Sequence, residues 1–108
     1  YGAATTNYSD MTGNSDELAA TGGYTTTGFA LTNVNPTSTG TTAFTDFSAN
    51  ASWSSATFTT RGCLIYNTSD SNSAVAVIDF GADYSVSGGT FEIQWPAADS
   101  SNAIIRIA

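Results

Sequence analysis

The groups available for chemistry are nine carboxylates, two arginines, one thiol and a set of hydroxyls, with no histidine and no lysine in 108 residues. That removes the usual general base, the Ser/His and Cys/His nucleophile pairs and the Schiff-base lysine. A carboxylate pair of the glycosidase kind is the remaining route, and Asp79 with Asp83, or Glu92 with either, are its nominees. Their spacing is not diagnostic, surface carboxylates in an acidic chain account for them better, and the expectation is a protein without catalytic residues.

Other ligand chemistry is equally sparse. The stretch Asn67-Thr68-Ser69-Asp70-Ser71-Asn72-Ser73 offers oxygens to calcium, and Asp83 follows a glycine turn, but a hard cation wants two or more carboxylates. Asx-type turns are the favoured role of that stretch, and no metal is expected there. Gly22-Gly23 and Gly88-Gly89 lack the lysine of a phosphate loop and read as turns, so no cofactor is expected. Trp53, Trp95, Tyr8 and Tyr24 are candidates for a sugar-stacking platform, although each tryptophan is in phase with apolar strand neighbours and core packing is favoured. Cys63 beside Leu64 reads as a buried inert thiol, the alternative being a thiolate activated by cations that the sequence does not place nearby. Asn7, Asn50 and Asn67 open N-x-S/T triplets, which arise by chance in so Ser/Thr-rich a chain.

Arg61 and Arg106 are more informative, because each lies within an otherwise apolar strand pattern. A half-buried guanidinium without a partner costs several kcal/mol, so each should meet a carboxylate, Asp79 for Arg61, or a neighbouring subunit should supply one. Arg61, Asp79 and Arg106 are therefore the structural or interface candidates.

The formal charge of −7 and pI near 4.1 argue against nucleic acid as a ligand, since phosphate affinity rests on lysine and arginine. The same charge disfavours anionic membranes, and no apolar run approaches the roughly 18 residues of a membrane span. The length suits one domain over residues 1–108.

The elements that must position these residues centre on Phe58–Gly81. Two apolar runs, Phe58–Tyr66 and Ala74–Phe80, flank a polar loop and predict a β-hairpin buried on both faces. A loop centred on Asp70 sets Tyr66 opposite Ala74, Leu64 opposite Ala76, Cys63 opposite Val77 and Arg61 opposite Asp79. Tyr1–Thr27 reads as loop with a helical turn at Ser15–Ala20. Gly28–Val34 reads as a strand, followed by turns at Asn35-Pro36 and Ser38–Gly40. Thr41–Trp53 alternates, with Phe47, Ala49, Ala51 and Trp53 on its buried side, and Ser54-Ser55 turns into the hairpin. Gly81–Gly89 reads as a loop, Phe91–Trp95 as a strand stopped by Pro96, and Asn102–Ala108 as the last strand. The sum is an all-β chain of about six to eight short strands, an antiparallel β-sandwich of jelly-roll or Ig-like kind.

The wording RGCLIYN (61–67), AVAVIDFG (74–81) and GTFEIQWPAADSSNAIIRIA (89–108), with Asn7-Tyr8-Ser9-Asp10, Asp16-Glu17-Leu18-Ala19 and Gly22-Gly23-Tyr24-Thr25 upstream, resembles a family of small tailed-bacteriophage structural proteins. The chain departs from the family pattern at Cys63, where alanine is common, and at Tyr84, where lysine often follows the D-F-G turn. The resemblance implies an N-terminal β segment ahead of the position of Tyr1. It also implies a virion location, with the major capsid protein or other virion subunits, and further copies in a homo-oligomer, as partners. The role it implies is capsid decoration or cementing. A tail or fibre module and a carbohydrate-binding or adhesin β-sandwich are the alternatives.

Overall fold

A computed structural model describes all of residues 1–108. Its elements are α1 (Tyr8–Gly13), β1 (Asn33–Thr39), β2 (Thr42–Phe47), β3 (Ala51–Asn67), β4 (Ser73–Ile93) and β5 (Ile105–Ile107). With 51% of residues in strands and 6% in helix, the all-β expectation holds. Five strands form, fewer than the six to eight expected, because two stretches read as interruptions run straight through. The strands make two antiparallel sheets, one ordered β1-β2-β5 and one of β3 and β4 alone. No helix is long and apolar enough to cross a membrane.

The chain divides into two units, residues 1–26 with 55–89 and residues 27–54 with 90–108, and both β3 and β4 pass from one to the other. In the first unit the hairpin is longer than its apolar runs. Ser54-Ser55 does not turn the chain, since β3 continues through Ser55 at φ 49°, and Gly81–Gly89 lies within β4 rather than in a loop. The loop between β3 and β4 is centred on Asp70 as expected, and Arg61 meets Asp79. Beyond that point the register jumps. Thr59 Oγ1 is 2.8 Å from Ser85 Oγ, so two residues of β3 face six of β4, which agrees with strand lengths of 17 and 21 residues. The four extra residues form a large bulge with Gly81 at φ 83°, and Tyr84, 52% exposed, stands out of it with its ring edge-on to Phe80 at 6.1 Å.

Burial on both faces of the hairpin is not found. Ile65 on β3 is buried, but Val75 and Val77 on β4 are 48% and 37% exposed. The expected helical turn at Ser15–Ala20 is also displaced. Asn7 caps α1 instead, accepting from the Asp10 N–H while the Asp10 carboxylate accepts from the Asn7 N–H, and Ser15 at φ 59° ends the run. Two carbonyl–amide bonds dock this segment on the hairpin, Ala74 N–H to Thr6 and Tyr8 N–H to Asn72.

In the second unit β2 is the middle strand. Its partners are Thr37↔Phe44, Ser38↔Ala43 and Thr39↔Thr42 on one side, and Ala43↔Ile107, Phe44↔Arg106 and Thr45↔Ile105 on the other. The strand expected at Gly28–Val34 forms later, at Asn33–Thr39, with Pro36 inside it. An edge strand tolerates a missing N–H, and one extra residue between Val34 and Thr37 makes the bulge that holds the proline. The turn is Gly40-Thr41 rather than Asn35-Pro36, with Gly40 at φ 60° as a two-residue hairpin loop requires. The Thr41–Trp53 alternation is broken at Ser48–Asn50, and the buried side of β2 carries Phe44 and Asp46, not Phe47 and Ala49. The last strand is three residues, shorter than Asn102–Ala108.

Candidate functional site

Arg61 is held by the β4 bulge. Its Nε lies 3.4 Å from Asp79 Oδ1, its Nη1 lies 3.9 Å from Asp83 Oδ1, and its Nη2 donates to the Gly81 carbonyl at 3.4 Å. Asp79 Oδ1 also accepts the Gly81 N–H at 2.8 Å. The guanidinium thus ties residues 79, 81 and 83 into one piece. The expected Arg61–Asp79 pair forms, yet the three side chains are 60–70% exposed, so the pair is a solvated surface bridge and not the half-buried one anticipated. Arg106 meets no carboxylate in a salt bridge; its Nη1 donates to the Ser101 carbonyl. Hydrogen bonds from the Asn102 side chain and then the Ser101 N–H hold the Asp99 carboxyl below its ordinary value, with a smaller contribution from the Arg106 charge.

The carboxylates nominated for catalysis are otherwise engaged. Asp79 and Asp83 share Arg61, and Glu92 Oε1 accepts from Gln94 Nε2 at 2.9 Å. No three His, Cys, Asp or Glu side chains converge as a metal ion needs. At the hairpin tip Asn67 Oδ1 accepts the Ser69 N–H at 2.9 Å, which is the Asx-turn role expected of that loop, and the Asp70 backbone carbonyl accepts from both the Ser73 N–H and hydroxyl. Asn7 and Asn50, which open the other N-x-S/T triplets, accept the N–H groups of Asp10 and Trp95.

The aromatic side chains pack on one another. Trp53 lies 5.7 Å from Phe29 and 6.0 Å from Phe91, and Trp95 lies 5.1 Å from Phe47, all at steep interplanar angles rather than as one flat face for a sugar. The Trp95 Nε1 is buried without a hydrogen-bond partner. Tyr8 stacks on Tyr66 at 4.8 Å, and the hydroxyls of Tyr8 and Tyr24 donate to the two oxygens of Glu17 at 2.5 and 2.7 Å. Burial first, and then the bond to Glu17, drives the Tyr24 phenol well above its ordinary value. Cys63 is half-buried, and burial pushes its thiol up to about 11, as an inert thiol requires.

Two features escape a reading of the sequence. Asp46 is fully buried, with Oδ1 accepting the Phe47 N–H at 2.8 Å and Oδ2 accepting the Ile104 N–H at 3.2 Å. Its one signal is an acidic residue in phase with Phe44. The second is the exposed valine row on β4, next to Asp79 and an open groove lined by Gly2, Ala3, Thr5 and Ala74–Val77. Comparisons of the chain with protein-family models, with curated proteins and with solved structures find no match.

Proposed function

We propose that this chain is a structural virion protein of a tailed phage, an antiparallel β-sandwich of jelly-roll or Ig-like kind that decorates or cements a capsid. The observation that carries the reading is the way β4 is presented. It holds Val75 and Val77 toward solvent on a hairpin stiffened by the Arg61 cluster, an arrangement suited to a contact between subunits. The polar side chains are spent on turns, caps and strand ties rather than on a pocket, which favours a non-catalytic role. Its partners are the major capsid protein or other virion subunits, with further copies of itself completing a homo-oligomer, and neither nucleic acid nor membrane.

The test is to strip purified particles stepwise with salt and chelator, identify the released chains by mass spectrometry, and locate this one in density maps of the intact particle. Density on the head supports the decoration role, and density on the tail replaces it with a tail or fibre module. A monomeric chain that is absent from particles and binds glycans at micromolar strength would make it an adhesin-like module instead.

A further inference from the structure

We propose that the Val75–Val77 edge of β4 docks an extended segment of a partner protein that carries two apolar residues and a lysine or arginine at successive alternate positions, on one face. In naming a contact surface, the inference rests on the reading of the chain as an assembly subunit.

Geometry selects an extended occupant. Val75 and Val77 are two apart on a strand, so they share a face, and both are exposed. The N-terminal segment bridges β4 once, at Asn7↔Ser73, with bonds from Ala74 N–H to Thr6 and from Tyr8 N–H to Asn72. Past that bridge it leaves a groove rather than a second strand, walled by Gly2, Ala3 and Thr5 on one side and Ala74–Val77 on the other. The wall residues are small, and a strand edge binds through main-chain hydrogen bonds while alternate side chains supply selectivity.

Charge selects the chemistry of the occupant. The valine row leads into Asp79 and then Asp83, both about 70% exposed and sharing the single guanidinium of Arg61. The chain carries −7 overall, has no lysine or histidine, and keeps Arg106 on the Ser101 carbonyl. A second copy laid strand to strand on this edge brings Asp79 and Asp83 against their own counterparts, with each Arg61 already shared between them. A partner segment with lysine or arginine beside its apolar residues meets Asp79 and Asp83 with opposite charge and covers the valines.

The experiment uses the full chain and two labelled strand peptides, one with valine, valine and lysine at successive alternate positions and threonine between them, and one with glutamate in place of the lysine, followed by fluorescence anisotropy. The lysine peptide should bind at least about tenfold more tightly than the glutamate peptide and weaken as salt rises. Val75→Thr with Val77→Thr, which keeps the charge and the strand preference, should cost about tenfold in lysine-peptide affinity. Asp79→Asn with Asp83→Asn should flatten the salt dependence. Equal binding of both peptides, or lysine-peptide binding untouched by the threonine pair, overturns the proposal, as does a wild-type dimer in sedimentation equilibrium that the threonine pair makes monomeric. A chain found on particles that fails this test docks by another face, whereas one that passes but is absent from particles keeps the docking edge and loses the virion role.

Discussion

Arg61 and Asp79 face each other across the β3–β4 hairpin, Nε to Oδ1 at 3.4 Å, at the last point before the register shifts by four residues. The same guanidinium reaches Asp83 and the Gly81 carbonyl, so it spans the bulge as well as the strand pair. Arg106 reaches one carbonyl five residues away.

That difference ranks two variants. Arg61→Ala should lower the folding stability more than Arg106→Ala, and by no more than about 1 kcal/mol because the bridge is solvated. High salt should shrink the Arg61 effect. Equal thermal shifts for the two variants would remove any special role for the bulge clamp.

Asp46 ties the end of β2 to the segment entering β5. Asp46→Ala leaves the Phe47 and Ile104 N–H groups without their acceptor inside the fold and should cost about 3 kcal/mol in urea unfolding. Asp46→Asn keeps one acceptor oxygen and should cost less. A loss below about 1 kcal/mol for the alanine variant would mean that water satisfies both amides.

Gly62 tests the hairpin register. A Cβ there would run into the Ile78 carbonyl, so Gly62→Ala must push the strands apart and should cost about 2 to 3 kcal/mol. Gly2→Ala, where a Cβ meets open space, is the matched control and should leave the melting temperature unchanged.

Cys63 should be slow to alkylate. With its thiol pushed from 9.0 to about 11, the thiolate fraction at about pH 8 falls on the order of 100-fold below that of an ordinary cysteine. A raised value favours the folded state while the thiol is protonated, so this contribution is complete below pH 9.0 and is lost as the pH climbs through about 11. Iodoacetamide kinetics in the folded and the denatured chain measure the first effect and urea midpoints from about pH 8 to about pH 11 the second; equal alkylation rates would refute the burial.

Acid should loosen the α1 end. The Thr6 N–H and then the Thr6 hydroxyl, both 2.7 Å from Asp10 Oδ2, hold that carboxyl below its ordinary 3.8. A lowered value gives stability that is full above 3.8 and lost as the pH falls through the folded value. The drop in urea midpoint from about pH 5 to about pH 2.5 should therefore be smaller for Asp10→Asn than for wild type. Identical drops would place the acid sensitivity elsewhere.

The β class, the hairpin tip around Asp70 and the meeting of Arg61 with Asp79 are legible along the chain. These rest on local pattern: alternation within short runs, turn residues between them, and a register that follows from loop length. The inert Cys63 was legible for the same reason, as an apolar neighbourhood shows in consecutive residues. What depends on neighbours distant in sequence shows only once the chain is folded. Pro36 sits in a strand because β1 is an edge, and Gly81 and Ser55 are carried inside strands because long partners run past them. Asp46 is buried because the Ile104 amide arrives to meet it, and no local pattern announces a donor 58 residues away. Val75 and Val77 read as core in one dimension, yet whether an apolar strand face is covered depends on which element packs on it, and both valines stay exposed while Ile65 on the neighbouring strand is buried.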